Sequence, residues 1–397
     1  MPGHRITTVW ESNPAIYAPA RFKKACQYEV FVPDELCSLD LHLPVEIAGV
    51  VSEAEGAIRA LNHTARPALA PLARLLLRTE SIASSKVEGM QMAVRDLARA
   101  EARMETGGKQ RRTAVEILAN IAAMETAITE TAAVQRFGEE EILAIHQRLM
   151  QHDPRPQIAG RFRTDQNWIG GNDYNPCGAD FVPPPVEEMP RLLRDLCDAV
   201  NSELLSPLVQ AALVHAQFET IHPFDDGNGR TGRALVHVIL RRRQLAPDYV
   251  PPISVVLAAA RDRYINGLTS FRGDGVITWI EHFAAAAARS AHVAKRYLGE
   301  VETLMTTWRA SLAAAAAPRA DAAAWAIIAV LPAHPVITAP IAVAATGRSK
   351  GPVYEAMAQL QAAGVLIPLS SAARNQSWEA AGLLDLLEEL EAGGAAQ

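Results

Sequence analysis

The sequence predicts a mainly α protein: a helical core interrupted by one small β-hairpin, followed by a C-terminal winged helix-turn-helix domain. Three observations carry this reading. Aromatic residues make up only 6% of the chain and Ala is abundant, a balance that favours helices over sheets. Apolar residues recur at helical spacing through 41–135 and again after 187, as amphipathic helices require. Between them, the stretch 160–185 (GRFRTDQNWIGGNDYNPCGADFVPPP) loses that spacing and fills with turn residues, the mark of short strands and loops.

In chain order, residues 1–40 read as irregular, with scattered Pro and aromatics, and 41–135 as several helices. A helix near 138–151 opens on acidic residues, which suit a helix N-terminus, and Ile142, Leu143, Ile145, Leu149 and Met150 supply its apolar stripe. Two short strands are expected near 167–170 and 180–182, ended by the prolines 183–185. Helices follow at 187–202 and at 206–220, the second with Ser206 as N-cap and Pro207 in its first turn. Further helices are expected from about 230 to 243 and from 253 to 315. Near Pro318 the chain enters a smaller unit, with three short helices split at His334-Pro335 and Gly347 and a two-stranded wing over 365–380. The expected organisation is an N-terminal helical segment (1–135), a core (136–300) and a winged-helix-like domain (318–397).

With 397 residues and 49% hydrophobic residues the chain can bury a sizeable core. Its net charge of −6 limits any nucleic-acid contact to a local patch. Cys26, Cys37, Cys177 and Cys197 form no metal-ligand spacing and read as reduced thiols of a cytoplasmic protein. The first residues show no apolar signal region, and no apolar run approaches the roughly 18 residues that span a bilayer. A cytoplasmic protein without a membrane partner is expected.

The chemistry concentrates in His222-Pro223-Phe224-Asp225-Asp226-Gly227-Asn228-Gly229-Arg230-Thr231-Gly232-Arg233, between two helices. Gly227 and Gly229 let the backbone turn tightly and approach a ligand. The amides of this turn and of the helix that follows point at anionic oxygens. Arg230 and Arg233, three apart, reach the same anion. Asp226 offers a hard oxygen for Mg²⁺ beside phosphate oxygens. His222 titrates near neutrality and suits a general base. The glycines at 227, 229 and 232 formally match GxGxxG, but the segment before them is helical and no strand-end acid follows, so a dinucleotide fold is rejected. Arg233-Ala234 stands where a P-loop needs Lys followed by Ser or Thr, so that reading fails too.

His222-x-Phe224-x-Asp226-Gly227-Asn228-Gly229-Arg230-x-x-Arg233 matches every position of the motif HxFx(D/E)GNGRxxR, and on it the chain resembles the Fic (Fido-domain) family of protein adenylyltransferases. Gly160 to Arg163, Asn167 to Gly171 and Phe181 to Pro185 are similar to the family's flap region. Ser84-Ser85-Lys86-Val87-Glu88-Gly89 matches the family's inhibitory pattern (S/T)xxxE(G/N). The likeness covers about 20–300, with a tail of a type often appended.

The resemblance implies transfer of AMP from ATP to a Ser, Thr or Tyr hydroxyl of a protein, this chain included, with Mg²⁺ as cofactor. His222 would take the hydroxyl proton and Asp226 would hold Mg²⁺. Gly227, Asn228, Gly229, Arg230, Thr231 and Gly232 would line the nucleotide's phosphate site, Phe224 would lock the loop from the core, and Arg233 would bind the γ-phosphate. The flap residues Trp168, Ile169, Gly170, Gly171, Phe181 and Val182 would present a strand edge to the target. Tyr264 lies where relatives place an aromatic near the adenine, although Ile265 stands where they often show a second tyrosine. Asn120 and His215 fall at recurring family positions, His215 as support for the loop. An inhibitory helix over about 80–92, carrying Ser84, Glu88 and Gly89, would pair Glu88 with Arg233 and obstruct the γ-phosphate.

In the tail, Arg348, Lys350 and Arg374 are thin basicity for DNA, and Glu379, Asp385, Glu388, Glu389 and Glu391 repel a duplex. Protein contact or homodimer packing is the favoured role for it. The alternatives within reach are a DNA-binding or toxin–antitoxin regulator, transfer of another nucleotide, and removal of AMP by the same Glu88.

Overall fold

The structure is a computed structural model that describes residues 3–63, 70–104, 111–369 and 376–393. The chain forms two compact units, each discontinuous in sequence. The first combines Met1–Glu55, Ala122–Leu245 and Arg261–Ala285, and the second Gly56–Ile121, Ala246–Ala260 and Ala286–Gln397.

The first unit opens on two antiparallel strands, β1 (Gly3–Trp10) and β2 (Cys26–Pro33), paired from Gly3↔Pro33 to Trp10↔Cys26. This corrects the expectation of an irregular start. The β-branched and aromatic residues of ITTVW and YEVFV are strand formers, and Val30, Phe31 and Val32 are buried. Helices α1 (Val45–Asn62) and α4 (Arg112–Thr129) each run from one unit into the other. The centre of the first unit is α5 (Glu139–Met150), α6 (Met189–Asn201), α7 (Pro207–Ile221) and α8 (Asn228–Arg242). As expected, Ser206 is the N-cap of α7 and Pro207 its first residue. Every residue of α7 after Pro207 is buried, so its burial is that of a central helix, apolar or polar all round. Among its buried polar residues, Gln210 donates through Nε2 to the carbonyls of Ala199, Val200 and Ser202 at 2.7–3.1 Å.

The expected hairpin at 167–182 is reduced to one antiparallel bridge, Ile169↔Phe181. The cause is local: Gly170 and Gly171 adopt φ +75° and +74°, which ends the strand at once. The helices expected over 253–315 are three: α9 (Ile253–Ala259), α10 (Arg261–Phe271) and α11 (Val276–Ala316). The turn before α11 closes on Ser270, whose carbonyl accepts from Gly273 N and Gly275 N at 3.0 and 3.1 Å. Among the described residues no helix is long and apolar enough to cross a membrane.

In the second unit, α2 (Ala70–Val87) is anchored through polar bonds. Buried Glu80 accepts from Ser254 N and Oγ at 2.8 and 2.6 Å, capping the start of α9. Asn120 Nδ2 donates to Ser81 O at 2.7 Å and to Ser85 Oγ at 3.1 Å. The C-terminal part is α12 (Ala323–Val330), β3 (Val336–Thr338), α13 (Ala339–Thr346), α14 (Lys350–Ala362), β4 (Leu366–Pro368), β5 (Ser377–Ala380) and α15 (Leu383–Gly393). Its antiparallel sheet has the order β3-β5-β4. Arg95 on α3 (Val94–Met104) gathers three acids of this part, Glu379 at 3.2 Å, Asp385 at 2.5 Å and Glu388 at 3.0 Å. Arg374 lies outside the described residues.

Candidate active site

His222 to Arg233 all fall in the first unit, where α7 gives way to α8. His222 caps α7 in the left-handed conformation, φ 50° and ψ 59°, a strained state for a residue with a Cβ. Its backbone is held on both sides. His222 N donates to Phe218 O at 2.9 Å, and His222 O accepts from Arg163 Nε at 3.1 Å and Asn167 Nδ2 at 3.2 Å. The Nδ1 atom is buried, so the ring can offer only Nε2 to a solute.

Phe224 is 0% exposed and stacks between rings, with His146 at 3.6 Å and Phe162 at 5.3 Å between centroids. Asn228 closes the loop over it: Phe224 N donates to Asn228 Oδ1 at 2.9 Å and Asn228 Nδ2 returns to Phe224 O at 2.8 Å. The Asn228 side chain is therefore a loop clamp. Gly227 is the N-cap of α8 at φ +77°, and an added Cβ would lie 3.0 Å from Leu149 Cδ2 and 3.2 Å from Met150 Sδ. Only glycine satisfies both demands. The amides of Asn228, Gly229 and Arg230 are in the first turn of α8, where the helix itself supplies no acceptor. Thr231 N opens the helix's own ladder by donating to Gly227 O at 3.0 Å.

Asp226 sits at the rim, its side chain 44% exposed. Its Oδ1 accepts from Gly227 N at 2.6 Å and lies 3.5 Å from Arg230 Nη2, while Oδ2 accepts from Arg155 Nη2 at 2.8 Å. Arg155 is itself held by Asp153 at 3.0 Å. Among the described residues no three His, Cys, Asp or Glu side chains converge on a point. The donor set thus fits a hard cation only as one carboxylate arm, with the remaining ligands coming from phosphates and water.

Arg233 is buried, and its Nη1 donates to Tyr264 Oη at 3.5 Å. Tyr264 Oη is also 2.9 Å from His215 Nε2, and its ring packs against Trp279. Tyr264 is therefore a buried support for Arg233. His215 is 0% exposed, and burial followed by the Arg233 charge pushes its pKa down to about 3, so it acts as a neutral prop. Gly232 has room for no side chain: a Cβ would come within 2.7 Å of Glu219 Oε1 and 3.0 Å of Phe218.

Three supporting residues were given no role by the sequence reading, Arg163 having entered only within the run 160–163. His146 accepts from Gly160 N on Nδ1 at 3.0 Å, which leaves Nε2 as the donor to Asp226 O, also at 3.0 Å. Burial pushes its pKa down to about 4. Arg163 ties three segments together: its backbone N donates to Pro223 O at 2.9 Å, Nε to His222 O and Nη2 to Pro184 O at 2.5 Å. Arg155 is the third. His146, placed on the buried stripe of α5 in the middle of apolar residues, also left a sequence signal.

In the flap, Ile169 N donates to Phe181 O at 2.8 Å and Phe181 N to Ile169 O at 3.2 Å. Trp168 Nε1 donates to Asn172 O at 2.6 Å. Gly170 accommodates Asp180, which any Cβ would strike. The Phe181 ring is covered by the Arg272 guanidinium at 3.6 Å, and Val182 O accepts from Phe31 N at 3.0 Å. Cys177 in the same segment is disulfide-bonded to Cys26, with Cα atoms 6.2 Å apart, while Cys37 and Cys197 are free. This corrects the expectation of four reduced thiols. The partners are 151 residues apart in sequence, and only the fold brings them together.

Ser84, Glu88 and Gly89 belong to the second unit. The helix carrying Ser84 stops at Val87, short of the expected 92, so Glu88 and Gly89 lie just beyond it. Met90 N donates to Ser85 O at 3.1 Å and Gly89 N to Lys86 O at 3.0 Å, with Gly89 at φ +80°. This is a Schellman ending in which Gly89 is the left-handed residue and Glu88 the residue just before it. Ser84 is buried in the last turn.

A helical core built around an anion-seeking helix start, with a histidine and a carboxylate ahead of it, defines the class of site. Residues 136–240 match the Fic/DOC family and residues 49–129 the Fic/DOC family N-terminal region. Over these two segments the chain is similar to that family. A protein adenylyltransferase Fic of Drosophila willistoni is 34% identical over 154 residues, and protein adenylyltransferase fic-1 of Caenorhabditis elegans 29% over 168 residues. These alignments take in 38% and 41% of this chain but only 29% of each relative. In fold, a Fic family protein from Desulfovibrio desulfuricans G20 superposes with a TM-score of 0.52 at 21% identity, over 86% of this chain and 98% of its own. A C. elegans Fic-1 fragment gives a TM-score of 0.51 at 23% identity, over 65% of this chain and 73% of its own.

Proposed function

We propose that this protein transfers AMP from ATP to hydroxyl groups of proteins, its own included. The observation that carries the reading is the loop itself: His222 locked at the end of α7, the first turn of α8 starting at Asn228, and Arg230 with Asp226 beside it. The adenylyltransferase names of its relatives point the same way. The target oxygen attacks the α-phosphorus, the bond to the β-phosphate oxygen breaks, and pyrophosphate leaves with the electron pair. His222 Nε2 takes the hydroxyl proton. The amides of Asn228, Gly229 and Arg230, with both arginines, neutralise phosphate charge, and Thr231 and Gly232 keep this turn against α7. Mg²⁺, anchored on Asp226, adds charge neutralisation at the phosphates when bound. The flap edge aligns the target backbone. The use of ATP fits a cytoplasmic location.

In the same reading Glu88 restrains the enzyme by competing with the γ-phosphate for Arg233, since one guanidinium cannot serve both. The same reading takes the C-terminal part as a winged helix, and the β3-β5-β4 order of its small sheet supports that. Arg95 engages three of its acids, which favours a packing or dimer role over DNA binding. The test is labelling by α-³²P-ATP with Mg²⁺ of the wild type, Glu88→Gly, and Glu88→Gly combined with His222→Ala. Label that rises with the first substitution and vanishes with the second supports transfer, base and restraint together. Silence in all three, with folding intact, sinks the reading.

A further inference from the structure

The Cys26–Cys177 bond joins β2 to the flap, and no step of the transfer uses it. Cys26 is the first residue of β2, opposite Trp10, and Cys177 precedes Gly178 at φ +78° in the connection between the two flap segments. A Cα separation of 6.2 Å lies within the span a disulfide closes without backbone movement. Both cysteines are half-buried, within reach of a small thiol. Lesser contacts run along the same seam. The Trp10 and Trp168 rings meet edge to face at 6.0 Å, and Phe22 stacks on Tyr174 at 5.2 Å. Asn175 Nδ2 donates to Phe22 O at 2.9 Å. The flap's internal pairing is a single bridge, so its position depends on this seam.

We infer that Cys26 and Cys177 form a reversible thiol–disulfide site that latches the flap to the N-terminal hairpin, the bonded state presenting the flap edge to a protein target. This rests on the reading of 167–182 as the target-binding segment. The oxidant is a small disulfide of the glutathione class. One cysteine thiolate attacks a sulfur of the small disulfide and expels a thiolate. The second cysteine thiolate then attacks the resulting mixed disulfide and expels another. The two cysteine protons finish on the two released thiols, and two electrons pass from the protein to the small disulfide. A dithiol reverses the exchange. In the bonded state the flap is held in a preorganised pose, which lowers the ordering cost of binding a target. In the reduced state the covalent tie of the Cys177 side is gone, only non-covalent contacts hold that part of the flap, and it opens locally more often.

The test uses the full chain, equilibrated with oxidised glutathione or with dithiothreitol. Alkylation followed by intact mass counts the thiols, and amide hydrogen exchange reads 167–182. Two alkylatable cysteines, Cys37 and Cys197, are expected in the oxidised sample and all four in the reduced one. Flap exchange should quicken by about tenfold on reduction. Cys177→Ser and, from the other side, Cys26→Ser should show the fast exchange under both conditions, while Cys197→Ser keeps the redox response. Four alkylatable thiols after oxidation, or flap exchange indifferent to the bond, would overturn the latch. Neither readout needs nucleotide, so failure of AMP transfer registers separately in the labelling experiment.

Discussion

Arg155 Nη2 donates to Asp226 Oδ2 at 2.8 Å, so the carboxylate proposed to anchor Mg²⁺ is already engaged by a cation of the chain itself. Both side chains are close to half exposed, and an ion pair of that kind is worth about 0.2–1 kcal/mol. Arg155→Ala should therefore lower the Mg²⁺ concentration needed for half-maximal ATP labelling, by up to about fivefold. A Mg²⁺ titration checks it. An unchanged or weaker requirement would mean that Arg155 assists nucleotide binding instead of competing with the metal.

His146 has its pKa pushed down to about 4 by burial, against about 6.5 in an unfolded chain. The folded ring stays neutral while the unfolded ring protonates, so the unfolded state binds more protons and stability falls as pH drops from about 6.5 towards 4. His146→Phe keeps a ring against Phe224 but leaves Asp226 O and Gly160 N without this partner, a loss of about 1–3 kcal/mol near neutral pH. It should also flatten the pH dependence by about one proton. Urea unfolding at about pH 7 and about pH 5 measures both effects.

Asn228→Ala removes both bonds to the Phe224 backbone. Two buried groups lose their partners, at a cost of about 1–3 kcal/mol each, and the loop loses its clamp. Labelling should fall by more than about tenfold, whereas ATP binding, which relies on backbone amides, should change less. Calorimetric titration with a non-hydrolysable ATP analogue separates the two.

Gly89→Ala places a Cβ at φ +80°, a strain of about 1 kcal/mol. The Schellman turn that sets the direction of Glu88 is loosened, so automodification should rise, though less than in Glu88→Gly. Equal label in Gly89→Ala and wild type would separate the turn from the restraint.

The motif was legible because its demands are local. A left-handed residue at Gly227, a helix start at Asn228 and the two arginines one turn on all follow from twelve consecutive residues. The Ser206-Pro207 start of α7 was legible for the same reason. His146, Arg155 and Arg163 were not, because each acts on the loop from a segment about 60 to 80 residues away. The flap was overdrawn as a hairpin because its strand-forming residues outvoted the two glycines at positive φ. The β1–β2 pair was missed because neighbouring Pro and Gly masked two short runs of strand formers.

By itself the sequence determined where the proposed chemistry lies, since His222, Asp226, the glycines and both arginines fall within twelve consecutive residues and need no distant partner to be recognised. Only the tertiary structure decided how they are restrained: Asn228 turned into a clamp, Tyr264 drawn into the core under Arg233, Asp226 paired with Arg155, and the flap bonded through Cys177 to Cys26. Local backbone preferences act over a few residues, whereas burial and hydrogen bonding between distant segments exist only once the chain has packed.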